Sequence, residues 1–149
     1  LDYLWLGIGA YLAKYPQTRY LFGPVSISGG MPLPARDLLV AFYRLYFAPA
    51  LPLATSRRPY PASLPDVLAQ FCGDDYQEDL LRLKRLLTNL GCSIPALYKQ
   101  YSELCESGGV QFIDFGSDPE FNNCIDGLVL VDLSQLKPAK YERYIAVHH

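Results

Sequence analysis

The 149-residue sequence is half apolar and 19% charged, with 13 basic and 15 acidic side chains and a formal net charge of −2. A chain of this length buries about 68–70% of its unfolded surface, enough for one globular core, and its apolar content excludes intrinsic disorder. The balanced charge lacks the basic footprint of a nucleic-acid binder, and no apolar run reaches the roughly 18 residues that cross a bilayer.

The longest apolar run, residues 3–13, contains two glycines and ends at Lys14. No basic start followed by a small-residue cleavage site marks a secretory leader, so a soluble, cytoplasmic chain is expected. The sequence opens at Leu1 inside a helical pattern, and its one methionine is Met31; a piece of a longer protein is expected. The only histidines are His148 and His149, which read as part of a tail or tag remnant over residues 146–149. Without an internal histidine, Ser-His-Asp triads, Cys-His dyads and histidine metal sites lack their central residue. Cys72, Cys92, Cys105 and Cys124 form no CxxC pair, so buried thiols are expected, with no metal centre.

In chain order, residues 1–15 place Leu4, Ile8, Tyr11 and Leu12 on one helical side with Trp5 beside them, and Pro16 ends the helix. Residues 19–28 read as a strand in which Gly23-Pro24 marks a bulge or kink. After the Gly29-Gly30 turn, Pro34 suits the first turn of a helix over residues 35–47, whose face is Leu38, Phe42 and Leu45. Residues 48–73 hold five prolines and no clean period, an ordered but irregular excursion. Asp75 and Glu78 have capping-box spacing, and Glu78 precedes Arg82 by one turn; Leu80, Leu83, Leu87 and Leu90 make the stripe and Gly91 stops it. Ser93 is the expected cap of a helix reaching Cys105. Residues 110–115 and 124–133 are apolar on both faces and closely connected, which predicts an antiparallel hairpin buried in a sheet. Ser134 is the expected cap of a last helix to Tyr144. The fold class is α/β of the α+β kind, helices on a small mixed sheet of at most three strands.

The most polar cluster is acidic: Asp114, Asp118, Glu120 and Asp126 on the hairpin and its turn. Converging carboxylates serve as a general base or hold a cation, whereas Asp118 and the neighbouring asparagines also suit plain turn hydrogen bonds. Asp114 and Asp126 each interrupt an apolar strand, and a buried aspartate needs a partner or a purpose. Tyr98 and Tyr101, in a segment rich in charge beside a glycine turn, are candidates for a substrate entrance or for an ordinary amphipathic helix. Ser26 and Ser28, before two glycines, are candidates to contact a ligand or simply to end a strand. No phosphate-binding glycine motif follows a strand.

Three segments carry a resemblance: YLFGPVSIS, ARDLLVAFYRLYF and, most specifically, LYKQYSELCESGGVQFIDFGSDPEFNNCIDGLVLVDLSQLKP. Through them residues 1–145 resemble the C-terminal part of bacterial GNAT-like N-acyltransferases, a group often given the hemolysin label. These are similar to the carrier-protein-dependent enzymes of ornithine-lipid synthesis and, more distantly, to acyl-homoserine-lactone synthases. The resemblance implies that the first helix receives the donor's pyrophosphate at its N-terminus. The basic, glycine-containing loop that precedes it in the family, and the family's first strands, would lie upstream. The expected co-substrate is acyl-CoA or an acyl-acyl-carrier-protein, with no permanently bound cofactor, and the acceptor is an amino-acid or lipid amine.

The family's LYxxxGF helix end implies Tyr43 in FYRLYF as the acid that protonates the leaving thiolate, with Tyr46 near the usual glycine and Phe47 one residue early. Asp114 or Asp126, chosen by placement rather than by motif, is the expected base. By itself this part is expected to be inactive. Expected partners are the carrier protein or coenzyme A thioester, a second copy paired through an open sheet edge, and the inner membrane face as a peripheral contact. A different class, a non-catalytic interaction module of a larger lipid-acyltransferase protein, fits the same residues. Membrane lysis, the literal sense of the hemolysin label, has neither a spanning segment nor a strongly basic amphipathic helix behind it.

Overall fold

The structure, a computed structural model, describes residues 1–62 and 64–149. Its elements are helix α1 (Asp2–Lys14), strand β1 (Tyr20–Ile27), helices α2 (Leu33–Tyr46), α3 (Pro65–Leu68), α4 (Tyr76–Asn89) and α5 (Ala96–Ser102), strands β2 (Val110–Asp118) and β3 (Cys124–Asp132), and helix α6 (Pro138–Tyr144). The three strands form one sheet in the order β1-β3-β2, with both pairings antiparallel. The fold is therefore α+β as the sequence implies, with the hairpin in place and the sheet wholly antiparallel rather than mixed.

Alternation along β3 decides which face the helices cover. Ile125, Gly127, Val129 and Val131 are buried, while Asp126, Leu128, Leu130 and Asp132 are partly exposed. Val25, Ile27, Val110, Phe112 and Phe115 join the buried face from the flanking strands. Against it pack Trp5 of α1, Leu38, Leu39, Phe42 and Tyr43 of α2, Leu83 and Leu87 of α4, and Tyr98 of α5. Each fully buried large apolar side chain contributes about 1.5–3 kcal/mol relative to exposure.

Several local expectations are corrected. Gly23-Pro24 makes no kink: the β1–β3 register runs unbroken through Gly23↔Val129 and Pro24↔Leu128. An edge strand tolerates proline because a missing N–H can face away from the ladder. The irregularity lies instead in β2, where the register shifts between Phe112 and Phe115. In α1 the buried residues are Trp5, Gly9 and Leu12, and Leu4 and Tyr11 face outward. Gly9 sets that rotation: a Cβ there would meet the Tyr144 carbonyl oxygen at 1.7 Å, so only glycine lets α1 lie against α6. Leu45 and Leu90 likewise end up exposed. Ser93 caps nothing, since α5 begins after Pro95. Ser134 sits in a 3₁₀ turn whose N–H is accepted by Asp132, and α6 starts at Pro138. The Asp75 cap on the Glu78 N–H and the Glu78–Arg82 ion pair at 3.1 Å are as expected.

Among the described residues Asp79 is the one fully buried charged side chain. Burial alone would raise its pKa, but the Tyr46 hydroxyl and the backbone N–H groups of Gly73 and Cys72, both at 2.9 Å, donate to it and hold it at about 2. It thereby ties α4 to α2 and to the end of the proline-rich excursion. A carboxylate with a depressed folded pKa stabilises the fold above its unfolded value of about 3.9 and loses that contribution as pH falls toward the folded value. Asp79→Ala is expected to cost on the order of 2–4 kcal/mol, because it strands three donors. Asp79→Asn is expected to flatten the acid-induced loss of stability between about pH 4 and pH 2. Urea denaturation across that range measures both.

Candidate active site

The end of the hairpin gathers the polar residues of the sheet's uncovered face. Ser26 and Asp126 are paired in register, and the Ser26 hydroxyl donates to Asp126 Oδ1 at 2.6 Å. The buried Cys124 thiol donates to the same oxygen at 3.5 Å. Burial and then the Asp126 charge push the thiol pKa up, which keeps it a donor. Asp118 caps the turn by accepting the N–H groups of Glu120 and Phe121 at 3.1 and 3.2 Å. Asn122 and Asn123 follow at φ 55° and 54°, the left-handed region that asparagine tolerates.

The ligand atoms of Asp118, Cys124 and Asp126 lie within 4.8 Å of one another. Each already has a protein partner, so hydrogen bonding alone accounts for the cluster.

Asp114 sits in the β2 irregularity and works differently. Its Oδ1 accepts the Phe115 N–H at 2.8 Å and its Oδ2 accepts the Ser56 N–H at 2.6 Å. The proline-rich excursion is thus stitched to the sheet. The Tyr60 N–H donates to the Phe115 carbonyl at 2.8 Å, the Ser117 N–H donates to the Arg58 carbonyl at 3.0 Å, and Pro59 bridges to Gly116. Gly116 permits the approach, because a Cβ there would stand 2.1 Å from the Ser56 hydroxyl. Between this loop and the sheet lies an open cleft of about 460 Å³, lined by Pro24, Leu128, Asp114, Asp118, Asp126, Gly116, Ser117 and residues 54–58.

The other expected site residues lie elsewhere. Tyr43 is 1% exposed, among the rings of Phe42, Phe47, Tyr98 and Phe112. Its hydroxyl pairs with Ser102 Oγ at 2.8 Å, and since Ser102 donates its own proton to the Tyr98 carbonyl at 2.7 Å, Tyr43 is the donor. Burial pushes the Tyr43 pKa upward. Tyr98 is fully buried and donates to the Val25 carbonyl at 2.7 Å, with its pKa also raised by burial. Tyr101 lies half-buried edge-on to Trp5 at 5.5 Å and lines an apolar groove of about 270 Å³ beside Ile8 and Leu21. Ser28 accepts the Gly30 N–H at 3.1 Å and closes its own turn. A second polar recess, about 340 Å³, lies between Tyr46, Tyr76, Ser102 and Glu106; Tyr43 reaches it only through Ser102.

The structure therefore brings Asp114, Asp126 and Ser26 together and leaves Tyr43, Tyr98, Tyr101 and Ser28 outside that cleft. Sequence reasoning overlooked Ser56, Arg57 and Arg58, the wall that faces the carboxylates. The adjacent arginines in an otherwise charge-poor excursion were the available signal.

Because Asp114 anchors the loop, Asp114→Ala is expected to speed tryptic cleavage of the Arg57–Arg58 peptide bond at least several-fold, the Arg58–Pro59 bond being resistant to trypsin. Asp126→Ala, which leaves the Ser56 N–H bond intact, is expected to leave cleavage there at the wild-type rate. Timed digestion read by mass spectrometry compares them.

Two curated proteins are similar to this chain. The glycine N(alpha)-acyltransferase of Bacteroides thetaiotaomicron is 27% identical over 147 residues, which cover 97% of this chain and 43% of that protein. The glycine N(alpha)-acyltransferase of Phocaeicola vulgatus is 29% identical over 106 residues, 70% of this chain and 32% of that protein. The chain thus spans less than half the length of these relatives. No family model and no solved structure matches it. The two similarities support an acyltransferase family for the chain.

Proposed function

We propose that the chain supplies the acceptor side of an N-acyltransferase, in which an amine attacks the thioester of an acyl-CoA or acyl-acyl-carrier-protein. The observation that carries this reading is Asp126: a carboxylate on the central strand, held by Ser26 and Cys124 through Oδ1 and facing a cleft. An ammonium must lose a proton before it can attack, and a fixed carboxylate is a suitable acceptor for it. The nitrogen then bonds to the acyl carbon as the C–S bond breaks, and the leaving thiolate takes up the second nitrogen proton.

The names of the two relatives put glycine as the acceptor in those proteins, and an amino-acid amine is the acceptor favoured for this chain. The resemblance to GNAT-like enzymes assigns thiolate protonation to Tyr43, but its hydroxyl is buried and donates to Ser102 outside the Asp126 cleft. In this reading the thiolate takes its proton from the amine instead. Thioesters of coenzyme A and of carrier protein suit a cytoplasmic setting. Among the described residues no helix is long and apolar enough to cross a membrane.

A second reading, a non-catalytic interaction module, is favoured by one observation. Tyr3 at 90% and Phe22 at 79% exposure, with Leu4 and Tyr11, leave an apolar outer surface on α1 and β1.

Expressed in its full natural reading frame, the protein is expected to release thiol from a long-chain acyl thioester in an amine-dependent manner. Asp126→Asn is expected to lower that rate about 100-fold or more without moving the melting temperature. Amine-dependent release at the wild-type rate from both Asp126→Asn and Asp114→Asn would refute the reading and leave the interaction module.

A further inference from the structure

The cleft is lined by residues of both charge signs, and no direct ion pair joins them. Among the described residues the ion pairs are Arg19–Asp132, Arg82–Glu78 and Arg143–Asp2, and neither Arg57 nor Arg58 forms one, although both line the same cleft as Asp114, Asp118 and Asp126. The arginines are not on a loose loop. The Arg58 N–H donates to Ser56 Oγ at 3.2 Å, its carbonyl accepts from Ser117, and the Ser56 N–H is held by Asp114. Opposite them, the hydrogen bonds to Asp126 use Oδ1 alone. Its Oδ2 remains available for an incoming donor.

We propose that Arg57 and Arg58 form the carboxylate-recognition element of this cleft, so that the acceptor is an α-amino acid with a free carboxylate rather than a simple amine. This rests on the reading of the cleft as the acceptor side of an acyltransferase. The physical argument is complementarity. A simple amine satisfies Asp126 and leaves two guanidinium groups unmatched, and a simple carboxylate does the reverse. A dipolar amino acid satisfies both walls. Guanidinium offers a planar fork of donors that matches a carboxylate bidentately, and a cleft of about 460 Å³ falls in the size range of small-molecule sites. Recognition of an acceptor carboxylate also separates amino acids from ethanolamine headgroups, which carry an amine and a phosphate but no carboxylate.

The test compares glycine, glycinamide and acetate by NMR titration of the chain. Glycinamide keeps the ammonium and lacks the carboxylate; acetate is the converse. Glycine is expected to bind at least about tenfold more tightly than either, as the loss of a charge-assisted hydrogen bond predicts. The Arg57→Gln/Arg58→Gln double variant is expected to bring glycine down to the level of glycinamide, with an unchanged melting temperature because both side chains are exposed. Asp126→Asn is expected to weaken glycine and glycinamide alike. Equal affinity for glycine and glycinamide, a preference that survives in the double variant, or no binding of any of the three would overturn the proposal. Failure of the underlying reading looks different. If glycine binds with the arginine-dependent preference but no thioester is ever consumed with an amine, recognition stands and acyl transfer falls. If glycinamide is acylated as fast as glycine, acyl transfer stands and carboxylate recognition falls.

Discussion

The pairing of β3 with both β1 and β2 is the constraint on which the rest of the molecule depends. As the central strand it has no open edge, and its alternation assigns every side chain to one face or the other. Ile125, Val129 and Val131 face the helices, and Asp126 faces the cleft. A register slip of one residue would exchange the two sets, placing a carboxylate under α2 and α5 and exposing the aliphatic core. The position of Asp126 is thus a consequence of the same hydrophobic burial that stabilises the fold.

The proline-rich excursion acquires its order from that sheet rather than from any periodicity of its own. Proline removes donors and blocks regular ladders, so the segment takes its hydrogen bonds where side chains and edge groups offer them. Asp114 receives the Ser56 N–H, Phe115 receives Tyr60, and the Arg44 guanidinium donates to the Tyr60 and Pro61 carbonyls at 2.8 Å. The Tyr60 hydroxyl donates to Asp37 on α2, and Asp79 binds the Cys72 and Gly73 N–H groups where the excursion ends. A loop fixed at so many points is a wall, and it creates a concavity on a sheet face that would otherwise be open.

The regular part of this architecture was legible in the sequence. The leucine stripe and cap of α4, the proline that opens α2 and the two apolar strands of the hairpin are local signals, and each element forms where those signals fall. What was not legible depends on contacts remote in sequence. The rotation of α1 is set by Gly9 meeting Tyr144, more than a hundred residues away, and no periodicity within α1 encodes that. Ser93 and Ser134 had good cap chemistry, yet proline at 95 and at 138 governs where the helices after them begin. Of the candidate site, the interruption of apolar strands by Asp114 and Asp126 pointed correctly to residues with partners, but the partner of Asp114 lay in a segment without a pattern. Tyr43 and Tyr98 carried polar groups that suggested chemistry, and the structure uses those groups to satisfy Ser102 and the Val25 carbonyl inside the core.

On the function proposed above, the acceptor meets the protein at the face of Asp126 rather than in the recess beside Tyr46, Tyr76 and Ser102. Amide chemical-shift mapping of the isotopically labelled chain titrated with glycine tests it most directly. The largest shifts are expected on Ser26, Ser56, Gly116 and Asp126, with the amides of Tyr76 and Ser102 unmoved. Shifts concentrated on Tyr76, Ser102 and Glu106 would contradict it and move the acceptor to the other side of the sheet.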